Sequence, residues 1–301
     1  MNTSTLSLLQ AAAAAAGAQQ YPKAALYVVA TPIGNLADIT LRAVHTLALA
    51  DAVACEDTRV GGALLQHLGL RKPLLALHRH NEHEAAAAVL QRLAAGERVA
   101  LVSDAGTPAV SDPGAWVVAA ATEAGHRVLP LPGASSALAA LSVAGDVHAG
   151  GFGFLGFLPV KAQARQAAMQ ALLAAAGSQV LFEAPHRIGD LATALAAAAP
   201  GRRLTLCREL TKQFETVVTM AAGELPAWIA ADPNHSRGEF VIVIHAAPAE
   251  ALSADTLPDA ARRMLAVLMR ELPLKQAVAL AAELSGAARN ALYAHALTLR
   301  G

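Results

Sequence analysis

Four short segments of the 301-residue chain concentrate groups that could do chemistry. The first is Ala30-Thr-Pro-Ile-Gly34-Asn-Leu-Ala-Asp38, where Pro32 fixes φ and Gly34 allows positive φ. Such a backbone can turn sharply and approach a ligand closely. The second, Cys55-Glu56-Asp57-Thr58-Arg59, sets three charged groups within four residues. The third, Ser103-Asp104-Ala105-Gly106-Thr107-Pro108-Ala109-Val110-Ser111-Asp112-Pro113-Gly114, packs two Gly, two Pro and two Asp into twelve residues. The fourth, Pro130-Leu131-Pro132-Gly133-Ala134-Ser135-Ser136, leads into an Ala/Leu-rich stretch. The same residue types also make ordinary strand–helix turns. A phosphate cradle would want a Lys or a bare helix N-terminus. Asp104 instead suits a ligand with amine, hydroxyl or cationic groups, such as an adenosyl sulfonium carrying an amino acid.

These segments need strands to hold them. Leu26–Ala30, Ala52–Cys55, Leu74–Leu77, Val99–Ser103 and Val128–Leu131 are short Val- and Leu-rich runs bounded by turn residues. Between them Leu41–Ala50, Gly61–Leu68, Glu82–Ala95 and Ala115–Ala124 are long enough for helices. This alternation predicts an α/β lobe with a mainly parallel sheet, and ligands of open α/β sheets bind outside the carboxyl ends of the strands. Beyond Gly150 strands are expected at Gln179–Phe182, Leu204–Cys207, Thr216–Met220 and Phe240–Ile244, with helices at Lys161–Ala176 and His186–Ala198. No crossover helix with a following strand separates the last two strands, which predicts antiparallel pairing and a mixed second sheet. A polar linker, Pro248–Pro258, then precedes three helices, Asp259–Arg270, Leu274–Leu284 and Ala287–Leu299. Gly286 between the last two is compatible with a helix-turn-helix.

Composition narrows the classes. Lys+Arg and Asp+Glu both number 23, so the chain is no global polycation and nucleic acid could be met only through a local patch. Two cysteines exclude a disulfide scaffold, and 55% hydrophobic residues exclude a disordered chain. The Ala11–Ala16 run lacks a basic flank before Lys23, so residues 1–23 read as a disordered Ala-rich extension, not a signal peptide. No run is long and apolar enough for a membrane span, and a cytoplasmic location is expected. Three apparent motifs are set aside. Gly151-Phe-Gly153-Phe-Leu-Gly156 spells G-x-G-x-x-G, but it runs into Leu158-Pro159 and meets no acid until Glu183. His78, His80, Glu82 and His83 fit a polar loop better than a metal site, so no metal is expected. Cys55 and Cys207 each sit near an acid, which disfavours a thiolate.

The four segments, with Arg42 closing Thr31-Pro-Ile-Gly-Asn-Leu-Ala-Asp-Ile-Thr-Leu-Arg42, strongly resemble the ribosomal RNA small subunit methyltransferase I family, within the tetrapyrrole methylase superfamily. The resemblance continues through Phe154-Leu-Gly-Phe-Leu-Pro159, Phe182-Glu-Ala-Pro-His-Arg187, Arg208-Glu-Leu-Thr-Lys212, Gly238-Glu-Phe-Val241 and Ala287-Ala-Arg-Asn-Ala-Leu-Tyr293. It covers about residues 24–300 and leaves out the Ala-rich extension. It implies two α/β lobes, 24–133 and 134–247, a helical domain at 257–301, and a homodimer. It also implies 2′-O-methylation of a cytidine ribose in the decoding region of 16S rRNA, within the small ribosomal subunit, with S-adenosylmethionine in the cleft between the lobes. Carried over by position, the cofactor meets Pro32, Asp104, Ala105, Gly106, Thr107, Val110, Ser135 and Ser136. From the second lobe it meets Phe182, Ala184, Leu210 and Gly238.

Attack by a ribose hydroxyl on a sulfonium methyl depends mostly on positioning, with a general base adding rate. Glu56, Asp57, Glu183, His186 and Glu209 are candidates; Glu183 and Asp57 are favoured, although Asp57 could simply pair with Arg59. Arg59, Arg187, Arg208 and Lys212 then read as phosphate-facing groups. Arg71-Lys72 and His78-Arg79-His80, with Arg202-Arg203 opposite, could extend that rim or be solvated loop surface. Few aromatics are available to stack bases, so reading by shape is expected. Two other functions fit: a methylase of a tetrapyrrole-like small molecule, which would carry an enclosed apolar pocket, and a non-enzymatic ribosome-associated factor, which would not bind the cofactor.

Overall fold

The computed structural model describes residues 3–78, 81–247, 257 and 259–299. The Pro248–Pro258 linker, Leu257 excepted, and Arg79 and His80 of the expected basic patch lie outside the described residues.

The chain opens with helix α1 (Thr3–Ala16), where a disordered extension was expected. Ala has the highest helix propensity, and here the helix also has a surface to dock on. Ala12 and Ala16 are buried. Leu8 and Leu9 pack against the core that contains Ala43, Val44 and Leu47 of α2 (Leu41–Leu49). Tyr21 Oη donates to Ala16 O at 3.1 Å and anchors the helix end.

Strands β1 (Ala25–Val29), β2 (Ala52–Cys55), β3 (Leu74–Ala76), β4 (Arg98–Val102) and β5 (Arg127–Leu131) form a parallel sheet in the order β3-β2-β4-β1-β5. Every residue of β2 is buried, as expected for a parallel strand covered on both faces. Between the strands run α3 (Thr58–His67), α4 (Glu82–Ala94) and α5 (Ala115–Glu123). Helix α3 begins three residues earlier than the apolar pattern indicated. Asp57 caps it, with its Oδ1 accepting from Arg59 N at 2.8 Å.

Helix α6 (Ser136–Ala144) leads into the second sheet and packs on it through Ala137, Ala140 and Ala144. That sheet comprises β6 (Phe152–Phe157), β7 (Ser178–Glu183), β8 (Arg203–Arg208), β9 (Thr216–Ala221) and β10 (Phe240–Ile244), in the order β6-β7-β10-β8-β9. β6 and β7 are parallel, whereas β10 is antiparallel to both β7 and β8, and β8 to β9. The sheet is therefore mixed. Its central strand β10, Phe-Val-Ile-Val-Ile, is buried throughout. Helices α7 (Ala162–Ala174), α8 (Ile188–Ala198) and α9 (Leu225–Ala231) complete this part.

The Gly-Phe-rich segment set aside as a false dinucleotide motif is the edge strand β6. Its register shifts between Phe154 and Gly156, and Gly156 takes φ +66°. Glycine lets the strand bulge there, which explains why the segment lacks a strand-like sequence pattern. Helices α10 (Asp259–Glu271), α11 (Leu274–Ser285) and α12 (Arg289–Thr298) form a small bundle around Leu265, Ala277, Val278 and Leu292. Gly286 ends α11 in a left-handed conformation, as a C-terminal cap.

Candidate active site

The carboxyl ends of β1, β4, β7 and β8 and the start of α6 surround one cleft of about 400 Å³. That volume lies in the range of roughly 300–1,000 Å³ typical of small-molecule sites. Ile33, Ala105, Gly106, Thr107 and Val110 line it from the first sheet's side; Ser135 and Ser136 do so from α6. Phe182, Glu183, Ala184 and Leu210 close it from the second sheet.

Backbone hydrogen bonds fix these loops. Thr31 and Gly106 form a bridge, with Thr31 N donating to Gly106 O at 2.9 Å and Gly106 N to Thr31 O at 3.0 Å. Thr31 Oγ1 donates to Ser103 O at 3.1 Å, and Thr107 Oγ1 to Ala134 O at 3.2 Å. Gly106 takes φ +82°, and an added Cβ would sit 3.4 Å from Ile33 Cγ2. Val110 and Leu210 are each flanked by non-glycine residues in the left-handed region: Ala109 and Ser111 at φ +65° and +68°, Glu209 and Thr211 at +53° and +65°. Such residues cost of order 1–3 kcal/mol each and gather at ligand sites. Their sequence carries no glycine signal, so this feature was not legible.

Nine of the twelve expected cofactor residues line the cleft: Ala105, Gly106, Thr107, Val110, Ser135, Ser136, Phe182, Ala184 and Leu210. Pro32 and Asp104 instead line a separate pocket of about 230 Å³ on the far side of the Thr31–Gly106 bridge. Gly238 supports the site without lining the cleft. It takes φ +92°, and an added Cβ would meet Glu209 Cγ at 2.6 Å. Glu209 lies across it, and Glu209 Oε1 accepts from Glu239 N and Lys212 Nζ, both at 2.9 Å.

The two favoured acids have different surroundings. Glu183 is buried at the cleft wall, its Oε1 accepting from Ala184 N at 3.0 Å and lying 3.2 Å from Arg187 Nε. Its Oε2 has no hydrogen-bond donor and lies 3.7 Å from Arg165 Nη2. Arg165, eighteen residues upstream on α7, had no sequence signal linking it to Glu183. Asp57 lies outside the cleft lining and is held down to about 2 by hydrogen bonds from the Arg59 side chain and backbone. A group that acidic is a poor general base near neutral pH, so the expectation for Asp57 is corrected. It is a helix cap and the partner of Arg59.

The four expected phosphate-facing cations also divide. The Arg59 side chain is 90% exposed, although paired with Asp57. Arg208 is buried and donates to Arg237 O, Phe214 O and Thr216 Oγ1 at 3.2–3.3 Å, so it staples loops and does not face phosphate. Arg187 donates to Leu158 O at 2.8 Å besides pairing with Glu183. Lys212 bridges Glu209 and Glu239, and Gly34 gives it room, since an added Cβ there would meet Lys212 Cγ at 2.5 Å. Burial, reinforced by Asp104 and Asp57, pushes the Cys55 thiol up to about 11. Burial pushes Cys207 up to about 12.

Residues 25–226 match the family of Tetrapyrrole (Corrin/Porphyrin) Methylases, and residues 255–300 match the RsmI C-terminal HTH domain. Ribosomal RNA small subunit methyltransferase I of Escherichia coli O157:H7 is 47% identical over 92% of this chain and 96% of its own length. The protein of the same name from Pseudomonas aeruginosa is 45% identical over 92% of this chain and 98% of its own. The chain belongs to the ribosomal RNA small subunit methyltransferase I family. The fold of this chain is also that of a uroporphyrin-III-C-methyltransferase from Thermus thermophilus, with TM-score 0.52, 23% identity, and 73% and 94% of the two chains covered. As a family member it is an S-adenosylmethionine-dependent methyltransferase. Its cleft fits that donor: hydroxyls at Ser135, Ser136 and Thr107, aromatic surface at Phe182, and a backbone cradle at Gly106 that a Cβ would narrow.

Proposed function

We propose that this methyltransferase acts on the 2′-hydroxyl of a cytidine ribose in the decoding region of 16S rRNA, within the small ribosomal subunit. The observation that carries this reading is the cleft itself, built from strand-end loops of two sheets and opening beside a second pocket on the same edge. The names and identities of the relatives support the RNA substrate. The structures sharing the fold under 25% identity support the architecture and not a tetrapyrrole substrate.

When bound, S-adenosylmethionine supplies a methyl group on a positively charged sulfur, open to in-line attack. Ala105, Gly106, Thr107, Val110, Ser135 and Ser136 hold it from one side, and Phe182, Ala184 and Leu210 from the other. The N-terminus of α6, capped by Ser135, carries a partial positive charge that suits its carboxylate. Glu183, an acid among the cleft-lining residues, takes the proton released by the ribose hydroxyl. Arg165 and Arg187 keep that carboxylate in place. Arg59, outside the cleft on the exposed start of α3, faces the RNA backbone.

The protein is proposed to work in the cytoplasm as a homodimer. Leu138 and Val143 of α6 and Phe152, Leu155 and Phe157 of β6 are large apolar side chains left exposed, which supports an apolar interface. Among the described residues no helix is long and apolar enough to cross a membrane, and no cluster of three metal-ligating side chains occurs. The direct test is methylation of small subunits from cells lacking the enzyme, with the product mapped to a ribose. Transfer to a base instead would overturn the proposal.

A further inference from the structure

We infer that the pocket between α3 and the Asp104 loop seats the base of the target nucleotide, and that Asp104 selects cytosine over uracil. This rests on the cytidine reading above.

The loop after β1 shows Ile33 to the cleft but Thr31 and Pro32 to this pocket. The loop after β4 likewise shows Ala105 and Gly106 to the cleft, but Ser103 and Asp104 to the pocket. The two cavities are thus opposite sides of one ridge, stitched by the Thr31–Gly106 bridge. The inference sets the ribose at the cleft and the base across that ridge in the pocket. The volume of about 230 Å³ is below that of a whole-ligand site, and suits one fragment such as a pyrimidine ring.

Pro32, Leu36, Val60 and Leu64 offer apolar surface for a base splayed out of an RNA loop. The hydroxyls of Thr31 and Ser103 are spent on backbone carbonyls of Ser103, Ala105 and Gly106. Asp104 Oδ1 accepts from Asp57 N at 3.0 Å, which fixes the carboxylate on the pocket wall. An ionised carboxylate only accepts hydrogen bonds, and has lone pairs to spare beyond that one. A carboxylate at the mouth of an RNA site repels phosphate unless a donor meets it. The exocyclic amine of cytosine is such a donor, whereas uracil puts a carbonyl oxygen at the same place. Selection then comes from repulsion of the wrong base as well as attraction of the right one.

The experiment uses small subunits from cells lacking the enzyme, carrying either cytidine or uridine at the mapped methylation position. Wild-type protein should favour cytidine in kcat/KM by about tenfold or more. Asp104→Asn keeps an oxygen for Asp57 N and adds an amide that can donate to uracil. It should lose most of that preference while calorimetry shows unchanged S-adenosylmethionine affinity. Leu64→Trp, which fills the pocket, should raise KM for the subunit by about tenfold with cofactor affinity unchanged. Asp104→Asn with the wild-type cytidine preference, or with lost cofactor affinity and no change in preference, would overturn the inference. An unchanged subunit KM in Leu64→Trp would do the same. If wild-type protein modified neither subunit on a ribose, the functional reading would fail first, and that result is distinct from either variant outcome.

Discussion

Glu183 and Asp57 stand at similar places in their sequences, each at or just beyond a strand end, yet burial and partners give them different work. Glu183 is buried between Arg165 and Arg187 beside the cleft, while Asp57 spends its carboxylate on Arg59 and the start of α3. Glu183→Gln should therefore lower kcat by ~10²–10⁴-fold with cofactor affinity retained, read by single-turnover methylation and calorimetry. A fall of less than threefold would remove Glu183 from proton transfer. Arg59→Ala should weaken subunit binding and reduce its logarithmic salt slope by about one. Arg208→Ala should instead lower thermal stability, because Arg208 ties three oxygens of neighbouring loops. The sequence marks both as basic groups beside an acid. Only burial separates the exposed cation from the loop staple, and burial depends on how β8 sits between β9 and β10.

Among the elements, the parallel strands and their helices were legible because each β1–β5 run is short, Val- or Leu-rich and closed by turn residues. β10 was legible for its unbroken apolar run. β6 was not, because an edge strand with a glycine bulge obeys neither alternation nor continuity. Nor was the docking of α1 legible, since an Ala run has no preferred face and its burial depends on the partner α2. Ala12 is fully buried there, so Ala12→Leu should destabilise by about 1–3 kcal/mol through overpacking. Wild-type stability to heat would argue that α1 does not dock.

Asp146, in the turn before β6, accepts from Ser178 Oγ at 2.7 Å and from Ala246 N at 2.6 Å, joining the start of β7 to the segment after β10. Burial alone would raise its pKa, but these bonds and one from His148 N outweigh it, and the net shift is downward. Burial also lowers His245, whose Nε2 lies 2.8 Å from Thr205 Oγ1. Both groups bind protons more readily when unfolded. The His245 contribution is present above about pH 6.5 and is lost as pH falls through its lower folded value; the Asp146 contribution is lost in the same way below about pH 4. The melting temperature should fall in those two stages. In Asp146→Asn the lower stage should be reduced.

For the whole molecule, two sheets place their strand-end loops around one cleft, and a chain with no net charge can meet RNA only through local features of that edge. The loop motifs made the site legible as a set of positions. Which of them face the cleft, and which face the pocket beyond the Thr31–Gly106 bridge, is decided by a pairing between loops seventy-five residues apart. The measurement that bears most directly on this account is ribose-methylation mapping of 16S rRNA after unmethylated small subunits are incubated with purified protein and S-adenosylmethionine. The account predicts one new 2′-O-methylcytidine in the decoding region, abolished when the cleft is blocked by Ser136→Trp. Methylation that survives that block, or a methyl group on any atom other than a cytidine ribose oxygen, would contradict it.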